Sequence, residues 1–236
     1  MEALILAAGL GSRLEHLTSE KPKAMIEYKG KAIVSYQIET LISQNIKRII
    51  VVSGFKADVL KEFIISHQYP DVEIIFLHNE HYQDTNSAYS FMTAFEKIIS
   101  NTYIHLNCDI LFSKEALSKV INSRHENVIA VRKDLDFSNS MENIISLDER
   151  IISMCLRQTP QSCFKGFGLA KISKNALQEN IKNYNKLVSN IQKKENYYGL
   201  IRMSLGNIDY HIEEFDRGHL AEINTLEDLE ECKFNQ

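Results

Sequence analysis

The sequence has no tryptophan, and only three prolines and four cysteines occur among its 236 residues. It lacks any apolar run near the roughly 20 residues that span a bilayer, and Glu2 stands where a signal peptide carries basic residues. We therefore expect neither secretion nor insertion into a membrane. The cysteines form no CxxC pair, which argues against a thiolate cluster and predicts reduced thiols in a cytoplasmic protein. They are Cys108, Cys155, Cys163 and Cys232.

A basic excess is absent as well. Asp and Glu outnumber Lys and Arg by 31 to 27, which gives a formal net charge of −4. No overall positive field attracts nucleic acid or an anionic membrane, so we expect neither as a partner. Any anionic ligand would have to be held by local groups. The absence of a linker, a low-complexity tract or a repeat predicts one domain over residues 1–236.

The first half contains an alternation of strand and helix signals. This βαβ series predicts an α/β fold with a mostly parallel sheet and helices on both faces. The predicted strands are 3–8, 47–54, 71–79, 102–112 and 126–134, and the predicted helices are 31–45, 57–66, 85–100 and 113–123.

The pattern changes after about residue 134. We predict a hairpin at 143–155, a strand at 163–173 that returns to the main sheet, and a helical stretch at 174–205. Short strands and a capped helix at 225–232 end the chain. This second half is expected to build on the edge of the sheet.

The first predicted strand runs directly into the segment AAGLGSR. Ligands of open parallel sheets bind at the carboxyl ends of the strands, where Gly9 and Gly11 lie. Glycine lets backbone N–H groups approach an anion closely, and Arg13 and Lys23 add positive charge. The segment predicts a phosphate-binding loop, with a plain tight turn as the alternative. Leu14 stands where a Rossmann fingerprint has its third glycine, which argues against that motif. The absence of a GK[ST] motif excludes a P-loop.

The combination of LAAGLGSRL with the later EKPKAMI resembles the signature of nucleotidyltransferases, which join a nucleoside triphosphate to a phosphorylated acceptor. The resemblance continues to HLAEINTLEDL and covers most of the chain. It implies a Rossmann-like, mostly parallel mixed sheet with a small β/helical insertion on the acceptor side. Residues 1–133 or so would form the nucleotide-binding half, and about 134–236 the acceptor-side half.

The resemblance also assigns roles in the glycine loop. It implies that Arg13 and Lys23 are catalytic, because they stand where the family keeps the charges that stabilise the α-phosphate and the leaving pyrophosphate. The nucleotide-binding residues that it implies here are Leu6, Ala7, Ala8, Gly9, Gly11, Ser12, Arg13 and Lys23.

Asp109 follows the strand TYIHLN, beside the predicted phosphate loop. Mg²⁺ binds one or two carboxylates together with phosphate oxygens and water, which suits this position; a turn cap is the alternative. The resemblance implies that Asp109 is a catalytic Mg²⁺ ligand. It places the second ligand in EINT, where Asn224 replaces the usual aspartate. The other interpretation is that Asn224 only caps the last helix. Glu222 would then replace it as a metal ligand, or would contact the acceptor.

The stretch HNEHYQDTNSAYSFMTAF resembles cytidylyltransferases of the phosphocholine type. Sugar nucleotidyltransferases carry a segment rich in Gln, Pro and Gly there, which this chain lacks. Short polar side chains, Asn79, Thr85, Asn86 and Ser87, can contact a pyrimidine and a ribose at a helix N-terminus. The resemblance thus implies CTP as the nucleotide, and an ordinary capped loop is the alternative.

The segment KKENYYGLIRM resembles the acidic-aromatic acceptor segment of that branch. The resemblance places carboxylates and aromatic faces near an ammonium group of the acceptor; these residues are Tyr89, Glu195, Tyr197, Tyr198 and Glu222. A tyrosine pair on a helix lies more often in a core, which is the alternative. Because tryptophan is absent, phosphoethanolamine or an aminophosphonate is favoured over phosphocholine.

The predicted reaction is Mg²⁺-dependent transfer of CMP from CTP to a small phosphorylated amine or phosphonate, with release of pyrophosphate. One rival is an NDP-sugar pyrophosphorylase that uses UTP or dTTP and a sugar 1-phosphate. Another is a nucleotide-binding regulatory module, suggested by the carboxylate missing at Asn224. The acceptor's identity and a homodimeric state stay open.

Overall fold

The computed structural model describes residues 1–139 and 141–235. The strands are β1 (Glu2–Ala7), β2 (Glu27–Tyr28), β3 (Lys31–Ala32), β4 (Arg48–Ser53), β5 (Glu73–His78), β6 (Thr102–Asn107), β7 (Ile110–Phe112), β8 (Val128–Arg132), β9 (Asn143–Leu147), β10 (Arg150–Cys155), β11 (Phe164–Ser173), β12 (His211–Glu214) and β13 (Leu220–Glu222).

Eight α-helices of the described ranges connect and flank these strands. They are α1 (Ile33–Ser43), α2 (Ala57–Ser66), α3 (Ser87–Ala94), α4 (Lys114–Asn122), α5 (Lys174–Lys186), α6 (Ser189–Lys194), α7 (Tyr197–Ser204) and α8 (Leu226–Glu230). Short 3₁₀ turns cover Ser12–Thr18, Lys23–Met25 and Phe95–Lys97.

The main sheet has nine strands in the order β5-β4-β1-β6-β11-β8-β12-β10-β9. The first four pair in parallel, as the βαβ series predicts. Strand β11 then runs antiparallel between β6 and β8, and the β9–β10 hairpin closes back on β11 through a second pairing. The predicted α/β fold with a mixed sheet is confirmed.

Strand β1 lies in the middle of the parallel part, and all six of its residues are buried. Its side chains alternate between two cores, because successive residues of a strand point to opposite faces. Ala3 and Ile5 pack with α1, α2 and α4 on one face, whereas Leu4 and Leu6 pack with α3, α5 and α7 on the other. This double burial explains the continuous apolar run, which a one-sided strand would not need.

Two predicted elements are divided in the structure. The strand predicted at 102–112 bends at Cys108 and Asp109, which separates β6 from β7 and brings the aspartate to the sheet's edge. The helical stretch at 174–205 becomes α5, α6 and α7. Leu187 and Val188 adopt extended backbone, and Asn196 caps α7 through a bond from the Gly199 N–H. Local capping therefore interrupts a pattern whose apolar spacing alone looked continuous.

The last helix settles one ambiguity of the sequence. Thr225, not Asn224, caps α8: its hydroxyl accepts from the Asp228 N–H, and the Asp228 carboxylate accepts from the Thr225 N–H in return. The side chain of Asn224 is therefore released from the cap and points toward the sheet's edge, where it meets Arg13 and Lys23.

Candidate active site

A cleft of about 740 Å³ opens at the carboxyl ends of β1 and β6. Its lining comes from both halves of the chain. The segments that follow β1 and β6 and the start of α3 form one part, whereas β11, the start of α7 and the end of β13 form another. The fold thus places a ligand-sized cavity at the edge where parallel sheets bind ligands.

The glycine loop forms one wall of this cleft. Gly11 has a φ of +68°, and a Cβ there would lie 3.0 Å from Thr18 Cγ2 and 3.1 Å from Lys23 Cβ. A Cβ on Gly9 would meet no atom within 4 Å, so this backbone borders open space. The turn is tied by the Thr18 hydroxyl and the Leu14 N–H, which both donate to the Gly11 carbonyl. A loop of this kind presents backbone to an anion, with the glycines keeping side chains out of the way.

Two cations, one carboxylate and one amide meet at the end of the loop. Lys23 Nζ donates to Asp109 Oδ2 at 2.6 Å and to Asn224 Oδ1 at 2.9 Å. Arg13 Nη2 donates to the same Asn224 oxygen at 2.7 Å. The Lys23 residue is only 9% exposed, whereas Arg13 is exposed. The cluster carries one negative and two positive charges, so it keeps a net positive charge for an anionic ligand.

The Asp109 carboxylate has one oxygen that stays unpaired in the described structure. Oδ1 is buried and has no hydrogen-bond partner, although a buried carboxylate oxygen normally has one. Within residues 1–139 and 141–235, no group of three or more His, Cys, Asp or Glu is arranged to hold a metal. An unpaired carboxylate oxygen on a residue that lines the cleft fits Mg²⁺, which takes most of its ligands from phosphates and water.

The neighbouring Cys108 adds no nucleophile to the site. Burial raises the pKa of its thiol to about 12, and the adjacent Asp109 charge acts in the same direction. The thiolate, which is the reactive form, is therefore disfavoured at neutral pH. All four cysteines of the chain are free.

Asn79 organises the polar loop that the sequence assigns to the nucleotide. Its Nδ2 donates to the hydroxyls of Thr85 at 3.0 Å and Ser90 at 3.1 Å, and its Oδ1 accepts from the His81 N–H at 2.9 Å. Asn79 is 1% exposed and lines the cleft, as Thr85 and Ser90 also do. Its amide is thus occupied in shaping the loop.

Asn86 and Ser87 also line the cleft, and they bond to the last residue of α6 and the first residue of α7, respectively. Asn86 caps α3 by accepting from the Ser87 N–H at 2.7 Å. Of the other residues that the resemblance assigns to the nucleotide, Leu6, Ala8, Ser12 and the two glycines line the cleft. Ala7 is 2% exposed and packs into the core instead.

Two of the five predicted acceptor residues lie in the cleft. Glu222 forms a largely buried ion pair with Lys165, whose ammonium stands 4.7 Å from the centre of the Phe167 ring. Tyr198 donates its hydroxyl to the Phe167 carbonyl, and burial raises the pKa of that hydroxyl well above its usual range. Tyr198 therefore lines the cleft with its hydroxyl already bonded to the backbone.

The other three predicted acceptor residues lie outside the cleft lining. Tyr197 is 1% exposed; its hydroxyl bonds to Tyr103 and Asn180, and burial raises its pKa above the usual range. Tyr89 packs on the core beside the His81 ring. Glu195 stays near Arg202 at 3.7 Å. Tyr197 is therefore a core residue, as the alternative interpretation of the sequence predicts.

Several cleft residues escaped the sequence analysis. Lys165 lies on β11 within CFKGFG, where a lysine between aromatic residues in a buried strand is the signal that could have marked it. Glu142 pairs with Arg202 at 2.7 Å, and burial raises the pKa of its carboxyl despite that partner. Asn107 and Asn196 had no sequence signal beyond being polar at the ends of elements; both line the cleft.

Comparison with known proteins identifies the family of this chain. Residues 3–159 match the model of the MobA-like NTP transferase domain. The chain belongs to this family. The match covers the glycine loop, Lys23 and Asp109, which are cleft residues from the first half of the chain.

The chain is similar to cytidylyltransferases. It is 33% identical over 138 residues to the CTP:phosphoglutamine cytidylyltransferase of Campylobacter jejuni, an alignment that covers 56% of this chain and 53% of that protein. The chain thus spans about half the length of that relative. It is 25% identical to the choline-phosphate cytidylyltransferase of Haemophilus influenzae, over 97% of this chain and 94% of that protein. Sugar nucleotidyltransferases also match.

A solved structure supports the same fold. The inositol-1-phosphate CTP transferase from T. maritima superposes with a TM-score of 0.81 at 22% identity, over 96% of this chain and 90% of that chain. At this identity the likeness shows the nucleotidyltransferase fold alone. Within the described residues of this NTP transferase, no helix combines the length and apolarity needed to cross a membrane.

Proposed function

We propose that this NTP transferase is a cytidylyltransferase that transfers CMP from CTP to a small phosphorylated amine or phosphonate. The observation that carries the proposal is the meeting of Arg13, Lys23 and Asp109 beside the glycine loop. Lys23 bonds to Asp109, and both cations bond to Asn224, at distances of 2.6 to 2.9 Å, which supports one shared ligand site. The cytidylyltransferase relatives support CTP as the nucleotide.

In the proposed reaction, an oxygen of the acceptor's phosphate or phosphonate attacks the α-phosphorus of CTP. The new bond joins that oxygen to the α-phosphorus, the bond between the α-phosphorus and the bridging oxygen to the β-phosphorus breaks, and pyrophosphate leaves with the electron pair. The acceptor oxygen is already anionic, so no general base is needed. Catalysis then consists of positioning and of neutralising charge.

Each residue of the cluster has a defined part in this proposal. The backbone of Gly9 to Arg13 binds the β- and γ-phosphates. Lys23 and Arg13 neutralise the charge that develops on the α-phosphate and on pyrophosphate. Asn224 holds both cations by the one oxygen that they share, which fixes their direction without cancelling their charge.

Asp109 is the residue proposed to hold Mg²⁺, through the oxygen that has no partner in the protein. The ion would supply further neutralisation of phosphate charge. Asn224 as a second ligand stays a prediction, because its oxygen already accepts from two cations. Asp109 also accepts from Lys23, so the carboxylate keeps that ammonium directed into the cleft.

The acceptor end of the cleft favours a group that can form hydrogen bonds. Lys165 and Glu222 offer a charge of each sign, and Glu142, Asn139 and Asn196 add further polar atoms. Among the described residues, the aromatic rings in the lining of this end are those of Phe167 and Tyr198. A quaternary ammonium group has no N–H to donate and is bound by aromatic cages. We therefore propose a primary amine or an amide over choline.

A matrix of substrates tests this function. CTP, UTP, dTTP, ATP and GTP are each combined with phosphoethanolamine, aminoethylphosphonate, a phosphorylated amide, phosphocholine and several sugar 1-phosphates, and pyrophosphate release is measured. The expected result is turnover with CTP and an amine or amide acceptor, absent when Mg²⁺ is chelated. Turnover with UTP or dTTP and sugar 1-phosphates alone would establish the sugar-nucleotide alternative and contradict the proposal.

A further inference from the structure

The N-terminus of α3 meets the C-terminal end of α6 and the start of α7. The Asn86 N–H donates to the Lys193 carbonyl at 2.8 Å, and the Asn86 side chain donates to the Lys194 carbonyl at 3.2 Å. The Ala88 N–H donates to the Glu195 carbonyl at 3.2 Å. These bonds join residues of the predicted nucleotide loop to a segment more than 100 positions later in the chain.

The contact satisfies two helix ends at once. The first N–H groups of a helix and its last C=O groups have no partners within the helix, and they carry partial charges of opposite sign. Here the free donors of α3 meet the free acceptors of α6. The α6 helix has six residues and no buried side chain, so these hydrogen bonds, and not core packing, hold its end in place.

Asn196 lies between two of these anchors. On one side the Glu195 carbonyl accepts from Ala88, and on the other the Tyr197 N–H donates to the Ser87 hydroxyl at 2.8 Å. Asn196 itself lines the acceptor end of the cleft, as Glu142 does, and its side chain acts to lower the pKa of the Glu142 carboxyl. The backbone on both sides of this cleft residue is therefore fixed by the first turn of α3.

We propose that Asn86 and Ser87 position Asn196 and Glu142, and so control recognition of the acceptor and not of the nucleotide base. This inference rests on the proposed function, because it needs an acceptor to be recognised. It differs from the role that the sequence suggests for the Thr-Asn-Ser stretch. The Asn86 amide accepts from the Ser87 N–H and donates to the Lys194 carbonyl, and the Ser87 hydroxyl oxygen accepts from the Tyr197 N–H.

The hydrogen bonds that join Asn86, Ser87 and Ala88 to residues 193–197 are called the bridge below. Substitutions at Asn86 and Ser87 separate this bridge from the cap of α3. Ser87→Ala removes the acceptor of the Tyr197 N–H, and Ser87→Thr restores a hydroxyl as the conservative variant. Asn86→Ser keeps a side-chain oxygen that can cap α3 but is too short to reach the Lys194 carbonyl. The matched control is Ser173→Ala, which removes the cap of α5 and leaves the bridge intact.

Steady-state kinetics with CTP and the acceptor found in the substrate matrix give the test. We expect Ser87→Ala and Asn86→Ser to raise the acceptor KM about tenfold, as the loss of one hydrogen bond does, with the CTP KM within about twofold of wild type. Ser87→Thr is expected to recover most of the loss, and Ser173→Ala to leave both KM values unchanged.

Three results bear against the inference or its basis. A raised CTP KM with an unchanged acceptor KM would overturn it, because these residues would then read the nucleotide. Equal rises in both KM values would overturn it as well, since the bridge would then support the whole cleft. Absence of turnover by the wild-type protein with every acceptor would instead refute the proposed function.

Discussion

Two cations share a single amide oxygen at the centre of the cleft. Lys23 and Arg13 both donate to Asn224 Oδ1, while Asp109 neutralises only Lys23. A carboxylate at position 224 would bring the charge of this cluster to zero; the amide leaves it positive. The cleft thus keeps a local positive charge although the chain has a net charge of −4.

Replacing Lys23 tests whether its charge acts on the reaction. Lys23→Met removes the ammonium but keeps a long apolar chain, and we expect kcat to fall at least about 10²-fold because one preorganised donor is lost. Lys21→Met is the matched control, since Lys21 lies on the same loop and pairs with Glu27 at 3.6 Å near the surface. A loss below threefold in Lys23→Met would show that this cation is not catalytic.

Position 224 tests the proposed metal site. Asn224→Asp adds a carboxylate next to Asp109, and hard cations bind more tightly as the number of charged ligands rises. We expect the Mg²⁺ concentration for half-maximal activity to fall several-fold. Asn122→Asp adds the same charge on the exposed surface of α4 and is expected to leave it unchanged. An unaltered Mg²⁺ dependence in Asn224→Asp would place the metal away from this residue.

At this scale the sequence predicted most of the cluster but not its full surroundings. Gly9, Gly11, Arg13, Lys23 and Asp109 belong to one compact motif or end a strand, so their meeting follows from parallel-strand geometry. The prediction of Tyr197 as an acceptor contact fails, because its position in a helix does not show whether its side chain is buried. Its hydroxyl bonds to Tyr103 in the core. Lys165 was missed since its partner Glu222 is 57 residues away.

Among the elements, the glycine loop depends on backbone conformation. Gly11 at φ +68° and Gly30 at φ +77° both lie in the left-handed region, where a side chain costs about 1–2 kcal/mol. Only at Gly11 would a Cβ also press on Lys23 and Thr18, at 3.1 and 3.0 Å. The two positions therefore separate a conformational cost from a displacement of the cleft wall.

Alanine at each glycine makes that comparison. We expect Gly11→Ala and Gly30→Ala each to lower the free energy of unfolding by about 1–2 kcal/mol, measured by urea denaturation. Only Gly11→Ala should also lower kcat/KM for CTP, by about tenfold or more, because Lys23 is moved. Equal kinetic effects in the two variants would contradict the assigned role of the loop.

Element by element, periodicity located the strands and helices of the first half well. Apolar runs between turns predicted β1, β4 and β5, and the serine cap predicted the start of α4. The hairpin at 143–155 followed from Asp148 and Glu149, which have positive φ values in the structure. The breaks around α6 were not predictable from spacing, since extended backbone at Val188 and capping by Asn196 decide them.

For the molecule as a whole, two cores on opposite faces of one sheet hold the halves of the cleft together. One buried titratable group makes this arrangement sensitive to acid. His105 on β6 is fully buried, stacks on Tyr197 with 3.8 Å between ring centres, and contacts Asn107 Oδ1 at 3.3 Å. Burial lowers the pKa of His105 to about 3, so it stays neutral in the folded protein.

The sign of the resulting pH dependence is fixed. Below pH 6.5 the unfolded chain binds a proton at His105 that the folded chain does not, so stability falls as pH decreases toward 3. From pH 7.5 to pH 5, wild type should lose about 2 kcal/mol more than His105→Phe, which keeps the ring stack. Parallel losses in the two proteins, measured by urea denaturation at both pH values, would show that His105 titrates normally.

The sheet order shows what the sequence could not supply. Alternating elements predicted the parallel strands, but nothing local indicated that β11 would insert antiparallel between β6 and β8. That insertion carries Lys165 and Phe167 to the cleft. The pairing of distant strands depends on the whole core, and so the acceptor side was the less predictable half.

The central claim is that the glycine loop, Arg13, Lys23 and Asp109 hold the same triphosphate. A crystal structure with Mg²⁺ and a CTP analogue that cannot be cleaved between the α- and β-phosphates tests it most directly. We expect the β- and γ-phosphates to lie against the backbone N–H groups after β1, Lys23 to lie within hydrogen-bond distance of an α-phosphate oxygen, and Mg²⁺ to bind Asp109. A nucleotide bound elsewhere, or a triphosphate that turns away from Lys23 and Asp109, would contradict it.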